Sequence, residues 1–197
     1  MSGILLYHAG LQPIPQPDLS VGRRNADFGQ GFYLSADESF CRRWAKNSPT
    51  ADAWLNRYAL CTDGLAVKRF QKDAEGFDYI VANRAGRPDA LAAYDIIVGP
   101  VANDILYDTW GILTSGFLRP EQALPLLRLG PVFEQTVIKT GKALAALRFE
   151  TAVRLPEAEI AASRESVRQE EKIFQEQFAA ALSGLLDTGG SGTQEKD

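Results

Sequence analysis

Apolar positions along this chain switch between a strand-like and a helix-like period, and the switches mark out its elements. Gly3-Ile4-Leu5-Leu6-Tyr7-His8 is short and almost unbroken in apolar character, which predicts a buried strand over residues 3–8. Pro13, Pro15, Pro17, Gly22 and Gly29 then break any period over 11–30. A loop of that length in a compact domain usually carries function. Residues 31–35 predict a second strand. Asp37 is placed to cap a helix on which Phe40, Cys41 and Trp44 form an apolar stripe, with Trp44 expected in the core.

Strand-like segments at 57–61 and 65–70 flank Thr62-Asp63-Gly64, a turn that suits a hairpin. A helix is expected over 75–84. Tyr94-Asp95-Ile96-Ile97-Val98-Gly99-Pro100-Val101 is the clearest strand, continuous and β-branched. Asn103 or Asp104 then suits the N-cap of a helix running to about 113. A helix over 120–128, a strand over 134–139 and a helical turn over 141–147 complete the first part. Beyond Pro156 the character changes. Ile160, Val167, Phe174, Phe178 and Leu182 repeat at helical spacing among dense charge. That long helix either packs back onto the domain or pairs with a partner or a second copy. The expected organisation is a domain over 1–155, a C-terminal helix over 156–187 and a disordered polar tail over 188–197.

Bulk properties narrow the function. The 197 residues are 45% hydrophobic and 23% charged, ordinary values for a globular domain with one core. With 21 basic and 25 acidic side chains the net charge is −4, which gives no electrostatic footprint for nucleic acid or an anionic membrane. Two separated cysteines, Cys41 and Cys61, argue against a disulfide scaffold and fit a reducing compartment. One histidine leaves no ligand set for zinc. With no readable signal peptide and no run near ~20 apolar residues, the expectation is a cytoplasmic protein without a membrane span.

The candidate chemistry lies in two places. His8, the single histidine, ends the first strand, and Asp27-Phe28-Gly29-Gln30-Gly31-Phe32-Tyr33-Leu34-Ser35 turns through glycines into the second. An imidazole and a tyrosine on two strands suit a small-molecule cleft; a hydrogen-bonded core histidine and a packing tyrosine would explain the same residues. Neither a Walker-type loop nor a G-x-G-x-x-G fingerprint is present. Capping suffices to explain Asn103 and Asp104, although a carboxylate there could also bind substrate or act as a base.

Several stretches together resemble the ADP-ribosyltransferase superfamily, in its His-Tyr-Glu branch shared by diphtheria-type toxins and poly-ADP-ribose polymerases. They are Tyr7-His8, Gly22 through Leu34, Asn83-Arg84, Tyr94 through Asp104, and Gln135 through Leu144, spanning roughly residues 4–149. More closely they look like an uncharacterised bacterial family of that clan, often encoded beside a small partner gene. The resemblance implies an α+β fold, a split, mostly antiparallel β core with flanking helices and an NAD cleft between two sheets. It implies NAD as substrate and mono-ADP-ribosyl transfer to a macromolecular acceptor, in a bacterial toxin or phage-defence effector with a cognate antitoxin. An NAD glycohydrolase is one alternative, and an inactive module that binds NAD or a partner is another.

Carried over residue by residue, His8 would bind the adenosine ribose and Tyr33 would stack on nicotinamide. Ala9 stands where the superfamily usually has glycine, followed by Gly10, and its backbone would meet the nicotinamide amide. Gly31 belongs to the Gly-rich turn. By position rather than by resemblance, Arg23 and Arg24, ranked ahead of Arg84 because they precede the Gly-rich turn, could meet the pyrophosphate, and the Asn103-Asp104 pair could stand near the cleft mouth. The superfamily's catalytic glutamate aligns with Gln135. Neighbouring Glu134 would face the opposite side of a regular strand and reach the cleft only through a bulge.

Overall fold

The computed structural model describes residues 3–45, 52–101, 126, 129 and 133–189. They form strands β1 (Ile4–Gly10), β2 (Phe32–Leu34), β3 (Trp54–Leu60), β4 (Val67–Arg69), β5 (Ile96–Pro100), β6 (Glu134–Ile138) and β7 (Leu147–Arg154). The helices are α1 (Glu38–Arg43), α2 (Ala74–Arg84), α3 (Gly141–Ala145) and α4 (Glu157–Gly189). One sheet runs β1-β3-β7, antiparallel throughout. The other runs β2-β6-β5-β4, antiparallel except for the β4–β5 pair. This is an α+β protein.

Strand alternation sorts the side chains into layers. Leu6, Tyr58 and Leu60 of the first sheet meet Phe32, Leu34, Ile96, Val98 and Ile138 of the second in one core cluster. On the other face of the second sheet, Ile97 and Val137 pack with Phe28, Phe70 and the α2 residues Tyr79 and Ile80. Leu55 of the first sheet packs with Phe40 and Cys41 of α1 and Ile160 of α4. Local chemistry sets the helix starts: the side chains of Asp37, Asp73 and Thr140 accept the backbone N–H of Phe40, Gly76 and Ala143.

The long loop is pinned rather than loose. Asn56, fully buried on β3, accepts the N–H of Ile14 at 2.8 Å and donates to the Gln12 carbonyl at 3.2 Å. Tyr58 donates its hydroxyl to the Ile14 carbonyl at 2.7 Å. Farther along, Gln30 donates to the carbonyls of Ser20 and Gly22. Gly31 lies so close to β6 that a Cβ on it would come 2.6 Å from the Ile138 carbonyl oxygen and 2.7 Å from Val137 Cγ1.

The structure corrects two expectations and adds a strand. Residues 57–70 form no hairpin: β3 lies in one sheet and β4 in the other. The turn itself is real, with Gly64 at φ 72°, but the chain uses it to cross between sheets. Trp44 is 48% exposed, because α1 ends at Arg43 and leaves the indole at the C-cap. β7 was not anticipated at all: it follows α3 directly and pairs with β3 along its length.

The expected helix from Asn103 or Asp104 lies outside the described residues, as does the segment 120–128 apart from helical, buried Leu126. By contacts the chain divides into two compact units, Met1–Ala102 with Val132–Ser166, and Asn103–Pro131 with Val167–Asp197. The division falls within α4, between Ser166 and Val167. In the second unit Phe174 is buried, and its ring stacks on that of Phe178 with centroids 6.3 Å apart. No described helix is long and apolar enough to cross a membrane.

Gly31 gives a direct check on the packing. Gly31→Ala should cost about 1–3 kcal/mol in urea unfolding, because backbone and a β-branched side chain must both shift. Gly141→Ala, where a Cβ would meet nothing within 4 Å, should stay within about 0.5 kcal/mol of the parent.

Candidate functional site

β1 and β2 are edge strands of different sheets, joined at one point. Tyr7 N–H donates to the Ser35 carbonyl at 2.8 Å and Ser35 N–H returns a bond to the Tyr7 carbonyl at 3.0 Å. Beyond this bridge the strands part, β1 toward Gly10 and β2 back toward Phe32. In an antiparallel strand, the N–H and C=O of every second residue point to the same side. Tyr7 turns its pair toward β2, so Ala9 does so as well, facing the split instead of β3. On the opposite prong Tyr33 has the same parity as Ser35.

His8 spans the split with its side chain. Nδ1 lies 2.7 Å from the Tyr33 carbonyl oxygen, and a carbonyl only accepts, so Nδ1 carries the proton. Burial lowers the imidazole pKa, against a smaller raising effect of that bond. The neutral ring therefore presents Nε2 as an acceptor. Gly10 keeps that edge clear: a Cβ there would come within 3.5 Å of Nε2 and 3.2 Å of Ile14 Cδ1.

Tyr33 packs beside the cluster of Phe28, Phe70 and Tyr79 and clamps the preceding turn. Its oxygen accepts the Phe28 N–H at 2.9 Å, and its hydroxyl donates to the Gly29 carbonyl at 2.7 Å. Burial raises its pKa, which keeps the donor proton in place. Lys139 holds the same turn, donating to the Phe28 carbonyl at 2.5 Å while paired with Asp89 at 2.8 Å. Gly29 adopts φ 72°, where a side chain would also strike Lys139 and Asn83.

That turn delivers Asp27. Arg84 of α2 places Nε at 2.7 Å and Nη2 at 2.6 Å from Asp27 Oδ1, and Gln135 Nε2 donates to Oδ2 at 3.3 Å. β6 is regular through this stretch, so its neighbours diverge. Gln135 lines a cavity of about 150 Å³ with Tyr7, His8, Ala9, Tyr33 and Trp44. Glu134 faces away, pairs with Arg69 at 3.4 Å and lines a separate cavity of about 240 Å³.

Of the residues named from sequence, His8, Ala9, Tyr33 and Gln135 come together at the split. Gly10 sits beside the imidazole and Gly31 against β6. Arg23 and Arg24 are exposed in the turn after Gly22; neither lines the cavity, though the Arg23 charge acts on Tyr33, which does. Asn103 and Asp104 lie outside the described residues. Sequence reasoning missed Trp44 and Cys41 as lining residues and Asp27 as a partner of Gln135. The buried Cys41 thiol, its pKa pushed up to about 12 by desolvation, donates weakly to the Tyr7 carbonyl and is no nucleophile.

Two outcomes follow from these bonds. Tyr33→Phe should cost about 1–3 kcal/mol in denaturant unfolding, because the Phe28 and Gly29 backbone groups lose their partner. His8 has a folded pKa below its unfolded value near 6.5, so the unfolded chain binds the proton more tightly. Its contribution is complete above pH ~6.5 and is lost as the pH falls below that value. His8→Gln should remove this slope between pH ~7 and ~5; an unchanged slope would mean that another group produces it.

Among curated proteins none matches the chain. A family model described as "Protein of unknown function (DUF3990)" matches residues 4–149, from the start of β1 into the beginning of β7. The split, His8, Tyr33, Asp27 and Gln135 all fall inside that match, and the chain belongs to this DUF3990 family.

Proposed function

We propose that the protein is an NAD-dependent mono-ADP-ribosyltransferase whose substrate enters the split between β1 and β2. The observation that carries this reading is the outward-facing N–H and C=O of Ala9. A primary carboxamide needs one donor and one acceptor side by side, which is what one residue of an open strand edge supplies. A cavity of about 150 Å³ suits a single aromatic ring, the size of the nicotinamide end. The rest of a dinucleotide would extend along the open strands, where His8 Nε2 can accept a ribose hydroxyl proton.

In the reaction the bond between ribose C1′ and the nicotinamide nitrogen breaks, its electron pair leaving on neutral nicotinamide. The ribose becomes oxocarbenium-like, and an acceptor nucleophile attacks C1′ and gives up its proton. Catalysis consists mainly of holding the dinucleotide bent and stabilising the developing positive charge. Gln135 is the side chain of β6 that faces this position. It brings an amide dipole where a carboxylate would bring a full charge, so slower chemistry is expected than with glutamate. A macromolecular acceptor, a neutralising antitoxin and self-association through α4 belong to the same reading.

Purified protein incubated with labelled NAD and bacterial lysate tests it, with label transfer and nicotinamide release followed together. Label fixed on a macromolecule is the expected result. Nicotinamide without fixed label would assign a glycohydrolase, and NAD binding without either would assign an inactive module. Gln135→Ala should reduce turnover about 100-fold, whereas Glu134→Ala should remain within about threefold of the parent. The reverse pattern would move the catalytic assignment to Glu134.

A further inference from the structure

The Asp27–Gln135 contact decides something that a glutamine alone leaves open. A carboxamide offers an acceptor at one end and two donors at the other, and rotation by half a turn exchanges them. A carboxylate can only accept, so the 3.3 Å contact with Asp27 Oδ2 requires the NH₂ end of Gln135 there. Oε1 is left as the other branch of the amide. We propose that Asp27 is a positioning residue that fixes this orientation, so that Gln135 meets the nicotinamide ribose as a hydrogen-bond acceptor. The ribose assignment rests on the reading above; the amide orientation does not.

Asp27 is held firmly enough for this task. Two Arg84 contacts, at 2.6 and 2.7 Å, fall on Oδ1, and Oδ2 is the oxygen that accepts from Gln135. The Asp27 and Arg84 side chains are only 13% and 15% exposed. One residue on, the turn is gripped by Tyr33 and Lys139 through Phe28. Orientation matters because charge appears on the ribose during bond cleavage. An acceptor at the neighbouring hydroxyl gains strength as C1′ becomes positive, and a donor there opposes the same change. The effect belongs to the transition state, so it acts on kcat more than on KM.

Isosteric exchanges separate this role from a structural one. In Asp27→Asn the guanidinium, which only donates, keeps Oδ1, and the new NH₂ faces Gln135. The Gln135 amide must then turn over and present its donor end. In Gln135→Glu alone, two carboxylates meet, which disfavours the charged form of one. The double variant Asp27→Asn/Gln135→Glu restores a donor–acceptor pair, conserves net charge and keeps a carboxylate in the Arg84 neighbourhood.

The experiment measures nicotinamide release from NAD, with bacterial lysate present as the source of acceptor, by the parent, both single variants and the double variant. It also records the ¹⁵N-resolved side-chain amide of Gln135 in the parent, Asp27→Asn and Glu134→Ala. Asp27→Asn should lower kcat about 10- to 100-fold with KM for NAD within about threefold. The double variant should exceed both singles. A parental kcat in Asp27→Asn, a change confined to KM, or a double variant no better than Gln135→Glu would overturn the proposal. If Asp27→Asn fails to fold, the comparison of the double variant with Gln135→Glu still decides. A parent that releases no nicotinamide refutes the functional reading, and the amide spectrum then tests Asp27 alone. The Gln135 NH₂ resonances should move in Asp27→Asn and not in Glu134→Ala; resonances indifferent to Asp27 would refute the positioning role.

Discussion

Two backbone hydrogen bonds between Tyr7 and Ser35 set the geometry on which the candidate site depends. They join the edges of two sheets at one residue pair and then let the strands separate. A longer ladder would have consumed the polar groups of Ala9 and Tyr33 in ordinary pairing. No bridge at all would have let the edges drift. A single bridge leaves strand backbone open but held in place, and the His8 side chain closes the next position with its bond to the Tyr33 carbonyl.

The surrounding structure supports this opening from both sides. Buried Asn56 and Tyr58 tie down the proline-rich loop that follows β1. Tyr33 and Lys139 tie down the turn that precedes β2. Those buried polar groups are satisfied by backbone, so they act as fixed clamps instead of unpaired liabilities. The Asp27–Arg84 pair extends the same scheme to β6. As a buried ion pair it adds little net stability against an apolar replacement; what it supplies is a defined orientation.

Much of this could be read from the sequence, for identifiable reasons. β5 was legible because a continuous β-branched run is a strong local signal, and the helix expected over 75–84 is found as α2. Glu134 and Gln135 were expected on opposite faces because strands alternate, but alternation alone does not say which face meets the cleft. The β2–β6–β5 register supplies that answer. Thr62-Asp63-Gly64 is true turn chemistry, yet turn chemistry does not distinguish a hairpin from a crossing between sheets. β7 was overlooked although Leu147, Arg148, Phe149 and Glu150 alternate as a strand does, because the alternation is short and is lost at Thr151-Ala152-Val153. Trp44 was misplaced by a single residue of helix length. Asp27 was visible only as part of a motif, since its partners Arg84 and Gln135 lie far along the chain and depend on tertiary packing.

The central claim is that the open edge of β1 at Ala9 receives a carboxamide. Titrating ¹⁵N-labelled protein with nicotinamide and following backbone amides tests it most directly. The account predicts that the Ala9 amide shifts most, with Tyr33 and the Gln135 side chain responding at the same ligand concentration. A response centred on Thr62, Arg69 and Glu134 around the other cavity, or no response at Ala9 under saturating ligand, would contradict it.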